Sequence, residues 1–163
     1  MAQERIDGRY VHKVVPRNVL LARVERRVGE GECYEAEMVM DTDHPFFFEH
    51  PLDHIPAMML VEAGRQMGIA ISHMFLDVPF GYLFATQGFD IHFTEFAELH
   101  EPVVITSSVS DKKFRRAMMV GLKLEGRFAQ GARQLGRMTG EFAMMPPELW
   151  RRYRRRQMLR VEP

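Results

Sequence analysis

The sequence predicts an α+β fold in which a curved antiparallel sheet wraps one long, largely apolar helix. Two observations lead there. Residues 57–76 form a proline-free helical stretch that is apolar around most of its circumference, and strand-like alternating segments stand on both sides of it, two before and four after. A helix of that kind needs cover on most sides, and a strongly twisted sheet supplies it.

Each element can be justified in chain order. Residues 1–17 are polar, end near Pro16 and read as an N-terminal arm. In residues 19–27, Leu20, Ala22 and Val24 alternate with Leu21, Arg23 and Glu25, which is a half-buried strand. Gly29 and Gly31 mark a turn, after which Tyr34, Ala36, Met38 and Met40 alternate with Glu35, Glu37 and Val39 as a second strand hairpinned on the first. Residues 41–56 change character. They hold His44, His50, His54, the run Phe46-Phe47-Phe48 and the prolines Pro45, Pro51 and Pro56, which forbid a continuous helix or a central strand. So long an aromatic, histidine-rich loop suggests function.

The helix follows. Its apolar surface is interrupted by Glu62, Arg65, Gln66 and His73, and the first three stand at i, i+3 and i+4 on one face. After the turn at Asp77-Val78-Pro79 come strands over residues 82–96 (with a break at Gly88), 103–110, 117–125 and 134–144. A basic turn over 111–116 carries Lys112, Lys113, Arg115 and Arg116. In the last strand Met138, Phe142 and Met144 face one way and Arg137, Thr139 and Glu141 the other. Two strands, a buried helix and four strands make the hot-dog arrangement. A single copy leaves an edge strand open, so a homodimer is expected, joined through the strand at residues 88–96.

At 163 residues the chain fits a single domain, 1–163, with a basic tail at 146–163. An apolar share of 46% and a charged share of 27% exclude general disorder. The formal net charge of zero argues against a nucleic-acid partner bound through many phosphates. That zero is unevenly spread: the tail is net +4, with six arginines, and the rest of the chain is net −4. Cys33, the only cysteine, excludes an intrachain disulfide. With no apolar leader at the charged N-terminus and no membrane-length apolar run, the expected setting is the cytoplasm, with no membrane partner.

The stretch from His44 through Pro56-Ala57-Met58 to Glu62-Ala63-Gly64-Arg65-Gln66, with Val11-His12-Lys13 upstream, resembles the A-factor synthase hot-dog family. The resemblance implies transfer of a β-ketoacyl group from an acyl carrier protein to a hydroxyl of dihydroxyacetone phosphate. Members of that family carry two such domains in tandem, and this chain has one. The stretch is also distantly similar to the β-hydroxyacyl carrier protein dehydratases, which share a Glu-Ala-x-x-Gln motif on the helix. In those enzymes a histidine ahead of the helix works with the helix carboxylate. The equivalent spacing falls here on Phe48, which accepts no proton, so His44 and His50 are the histidines left for that part. The expected catalytic residues are thus Glu62, His44 and His50. An apolar pocket would raise the Glu62 pKa toward working pH.

Arg65, Gln66, His54, Phe48, Ala57 and Met58 are expected to bind substrate. Arg65 would hold a phosphate, and the free N–H groups at the helix start near Pro56 would polarise a thioester carbonyl. Alternatives stay open: Glu62 and Arg65 as a plain ion pair, the histidines as loop hydrogen-bonders, and Phe46–Phe48 as core. His50 and His54 stand four apart with Asp53 near, but Pro51 and Pro56 forbid the helix a zinc protease would need, so no metal is expected. Nor is a cofactor, since no P-loop or dinucleotide fingerprint occurs. The donor is an acyl carrier protein or a coenzyme A thioester. The functional alternatives are a dehydratase or thioesterase on such a thioester, and a non-catalytic module that binds an acyl chain or a partner.

Overall fold

In a computed structural model of the protein, residues 3–29 and 31–158 are described. The elements are β1 (Leu21–Arg26), β2 (Cys33–Met38), α1 (Ala57–Phe75), β3 (Leu83–Phe93), β4 (Val104–Arg115), β5 (Met118–Gln130), β6 (Arg133–Met145) and α2 (Pro147–Met158). The six strands form one antiparallel sheet in the order β1-β2-β4-β5-β6-β3, curved about α1. The hot-dog expectation holds.

The alternation in the sequence becomes a concave apolar face. Met138, Phe142 and Met144 of β6, with Leu122, Leu124 and Phe128 of β5, are buried against the helix. Two glycines let the helix come close. A Cβ at Gly64 would stand 2.5 Å from the Met138 sulfur, and one at Gly68 would stand 2.9 Å from two ring carbons of Phe142. Such contacts have no room for a methyl group, so the usual helix cost of glycine is offset here by packing.

One expectation needs correction. The basic segment is strand rather than turn. β4 bulges after Ser110 and continues through Lys112, Lys113 and Arg115, and the hairpin turns at Arg116-Ala117, with Arg116 at φ 57°. The bulge absorbs the polar residues that had suggested an end to the strand. The N-terminal segment, an arm or short lead-in by sequence, forms 3-10 turns at Gly8–Val11 and Pro16–Asn18, buries Val11 completely, and runs along α1. The basic tail, read from sequence as a helix or arm, is a regular helix over α2, while Arg160 and Glu162 lie outside the described residues.

β3 pairs on one side only, with β6, and its other edge is free of partners among the described residues. The expected break at Gly88 is a register shift between Thr86 and Gly88.

Candidate functional site

The polar face of α1 lies under the N-terminal segment. Gly8 accepts a hydrogen bond from the Lys13 N–H at 2.8 Å, and a Cβ at Gly8 would collide with the Lys13 carbonyl oxygen at 2.3 Å. His12 takes the left-handed conformation, φ 56°. This tight loop delivers the Lys13 ammonium to the carboxylate of Glu62, Nζ to Oε1, at 2.8 Å. Arg65, one turn along the helix, binds the same carboxylate in bidentate fashion, Nε to Oε2 at 2.7 Å and Nη2 to Oε1 at 2.8 Å. Gln66 Nε2 adds a third donor at 3.0 Å.

Glu62, Lys13 and Arg65 remain 21%, 23% and 32% exposed, so solvent reaches them. Burial pushes the Glu62 carboxyl upward, but the hydrogen bonds from Arg65, Lys13 and Gln66 outweigh it and hold the pKa at about 2. This reverses the expected rise. The pocket is not apolar around the carboxylate, because Lys13, which stood 49 positions away in sequence, closes onto it. Two cations share one anion, leaving the cluster an excess of one positive charge.

Gln66 is fully buried and its polar atoms are engaged within the fold. Its Oε1 accepts from the Leu20 N–H at 2.9 Å, and Nε2 donates to the Asn18 carbonyl at 2.8 Å as well as to Glu62. It pins the start of β1 to α1. His44 is likewise a brace. Nδ1 accepts from the Phe46 N–H at 3.2 Å, so Nε2 carries the proton and donates to Asn18 Oδ1 at 3.1 Å. Burial lowers its pKa further, which keeps the ring neutral. No hydrogen bond joins His44 to Glu62 among the described residues. His50 is exposed on the loop. Phe48 is half-buried and packs on the core.

The remaining predicted residues gather at the start of α1. Pro56 is the N-cap and provides no side-chain cap, and the Met59 N–H returns to the Pro56 carbonyl at 2.9 Å. The N–H groups of Ala57 and Met58 thus point outward without a protein acceptor among the described residues. Beside them opens a cavity of about 400 Å3, bounded by His54, Ile55, Ala57, Leu60, Phe93, Thr94, Glu95, Phe96 and Ala97. His54 holds Asp53 Oδ1 at 2.7 Å through Nδ1 and sets its ring edge-on to Phe96. Opposite, the 96–101 loop is fixed by the buried Gln130, which accepts from the Glu98 N–H and donates to the carbonyls of Glu98 and Glu101. Glu62 does not line this cavity. It lies about 7.5 Å further along the helix from Ala57.

A second polar pair, His12 and His73, was not legible as a site. His73 Nδ1 donates to the Val78 carbonyl at 2.8 Å, so its Nε2 is free to accept from His12 Nε2 at 2.9 Å. Phe80 stacks on His73 and Phe84 is edge-on to both rings. Burial is the largest cause lowering both pKa values. The only sequence signal for Lys13 and His12 was the Val11-His12-Lys13 triplet, whose helix partners are remote in the chain.

The structure is similar to that of the fluoroacetyl-CoA thioesterase FlK, with TM-score 0.58 and 16% identity, over 85% of this chain and 99% of that one. It is also similar to a hot-dog-like protein from Thermanaerovibrio acidaminovorans, with TM-score 0.51 and 14% identity, over 68% and 75% of the two chains. At such identities the likeness establishes the fold. In sequence, the chain is 33% identical over 92 residues to a 2-oxo-3-(phosphooxy)propyl 3-oxoalkanoate synthase of Streptomyces virginiae, covering 56% of this chain and 27% of the relative. It is 43% identical over 53 residues to the synthase of the same name from Streptomyces griseus, covering 31% and 18%. The chain therefore spans about a quarter or less of these relatives' length. The model of the A-factor biosynthesis hotdog domain matches residues 1–146, and the chain belongs to that family.

Proposed function

We propose that this chain is an acyltransferase domain of the A-factor synthase type, which moves a 3-oxoacyl group from a thioester to the hydroxyl of an anionic, phosphate-bearing acceptor. The observation that carries the reading is the Glu62 carboxylate, clamped between Lys13 and Arg65, a short way along α1 from an uncapped helix start and its cavity. The relatives' name describes an ester of a 3-oxo acid with a phosphate-bearing alcohol, and a cluster with one excess cation suits such an acceptor.

In this reading the acyl thioester lies in the cavity with its carbonyl oxygen toward the Ala57 and Met58 N–H groups, which stabilise the oxyanion. The acceptor phosphate draws Lys13 and Arg65 to itself. Glu62 loses the donors that hold it at about 2, and burial then raises its basicity. It takes the hydroxyl proton as the alkoxide oxygen bonds to the carbonyl carbon, and the C–S bond breaks as the thiolate leaves. His54 and Phe96 bound the cavity on the acyl side, and His50 is left as a loop residue. Two copies joined edge to edge through β3 form the proposed homodimer, because that edge is unpaired and Met58 and Phe96 are 59% and 69% exposed near it. The donor is placed on an acyl carrier protein, with coenzyme A as the other carrier, in the cytoplasm.

One observation favours a second reading. In the resting arrangement Glu62 is fully occupied, as it would be in a non-catalytic module that only binds acyl chains. Incubation with a 3-oxoacyl pantetheine thioester and dihydroxyacetone phosphate, followed by mass spectrometry, separates the two. The acyltransferase reading expects the phosphorylated ester from the wild-type protein and a loss of at least a hundredfold in Glu62→Gln. Binding without ester, or an undiminished rate in the variant, overturns it.

A further inference from the structure

The C-terminal helix α2 lies beyond the residues that match the family. It follows β6, and its residues bound a groove of about 440 Å3 together with residues of β4–β6. The floor is apolar, from Val120, Met144, Met145 and Leu149, and Tyr153 stands half-exposed at the wall. Three arginines, Arg115, Arg152 and Arg156, line it, and none has an acidic partner among the described residues.

That grouping is unlike an ordinary solvated face. Arg152 and Arg156 stand at i, i+4, a like-charge spacing that destabilises a helix, and Arg115 adds a third cation from the sheet. Arg155 and Arg156 in the last turn gain from the helix dipole. Arg152 and Arg115 have no such reason to face one apolar trough uncompensated. An occupant must bring negative charge and an apolar surface together. Over its described length α2 has Arg151, Arg152, Arg154, Arg155 and Arg156 against Glu148, whereas the remainder of the chain before it is net acidic. The charge is therefore local to this surface.

We propose that the α2 groove docks an acidic protein surface that presents an apolar side chain between its carboxylates. The proposal rests on the acyl-transfer reading only for the identity of that protein, the carrier of the thioester. The sheet geometry allows the delivery. Leu83 is opposite Met145 and Phe93 opposite Gly136, so the groove and its own chain's cavity lie at opposite ends of β3, about 34 Å apart in extended strand. Antiparallel pairing of two β3 edges would bring the groove end of one protomer to the cavity end of its twin. A carrier docked on one copy would then serve the other.

The test is binding of an acidic acyl carrier protein to the whole chain, read by fluorescence anisotropy at low and high salt, independently of turnover. For Arg152→Glu/Arg156→Glu the expected result is at least tenfold weaker binding at low salt, with the difference shrinking as salt screens the charges. Arg151→Glu/Arg154→Glu, on residues that do not line the groove, should change binding less than threefold. Circular dichroism should show both variants folded, since these side chains make no contacts that hold the fold. Equal weakening by the two pairs would mean unspecific attraction and overturn the groove. So would unaltered binding in the first pair, or groove-dependent binding of a random DNA duplex or phosphatidylglycerol vesicles with none of the carrier. If ester formation fails while groove-dependent carrier binding persists, the acyl-transfer reading falls and the docking surface stands.

Discussion

Replacing Glu62 with glutamine removes a charge that two cations and an amide hold in place, so it should cost stability as well as turnover. The carboxyl sits at about 2 instead of 4.5. At about 1.4 kcal/mol for each unit between those values, the folded state gains a ceiling of roughly 3 kcal/mol from the ionised form. The three groups are about a fifth to a third exposed, and solvent screening reduces the figure to about 1–2 kcal/mol. Lys13 and Arg65 can turn to water in the variant, so no buried charge is stranded. For a chain of this length that corresponds to a fall of roughly 3–6 °C in Tm.

The sign with pH follows from the depressed value. The contribution is fully present above the unfolded pKa, near 4.5, and is lost as pH falls toward about 2. Urea unfolding of wild type and Glu62→Gln at pH 7 and at pH 3 reads it directly. The gap of about 1–2 kcal/mol at pH 7 should narrow by more than half at pH 3. A gap below about 0.3 kcal/mol at pH 7, or one unchanged at pH 3, refutes the clamped carboxylate.

Other outcomes follow from the packing. Gln66→Leu strands the buried Leu20 N–H, and with it the tie to Asn18, and should cost about 2–3 kcal/mol in chemical denaturation; a neutral effect would mean the β1–α1 tie is not formed. Gly68→Ala gains up to about 1 kcal/mol in helix propensity but sets a methyl group 2.9 Å from the Phe142 ring, so a net loss of about 1 kcal/mol is expected. A stabilised variant would show that α1 stands further from β6. Light scattering at micromolar concentration should give twice the 19.0 kDa chain mass, and a stable monomer would remove the β3 pairing.

The fold was legible because its signals are local. Period-two alternation marked β1, β2 and β6, and the apolar circumference of residues 57–76 marked a helix that must be covered. The strand ends were less so. A bulge hid the continuation of β4, and β5 runs on to Gln130, five residues past the expected end at Glu125, before the hairpin tip at Gly131, φ 54°. The site was half legible. Glu62 and Arg65 share a helix face by spacing alone, and they do pair. The sign of the Glu62 shift was missed, because it depends on Lys13, and only the fold brings a residue from a 3-10 turn onto the middle of the helix. The partners of the His44 ring nitrogens, Phe46 and Asn18, were hidden for the same reason.

The central claim is that an anionic acceptor unlocks Glu62 for acyl transfer. Single-turnover release of thiol from a 3-oxoacyl pantetheine thioester tests it, with dihydroxyacetone phosphate, with unphosphorylated dihydroxyacetone, and with no acceptor. Release with the phosphorylated acceptor should exceed release with the unphosphorylated one by at least a hundredfold, with the ester as product. Equal release in all three would make water the acceptor and the phosphate irrelevant, and would contradict the account.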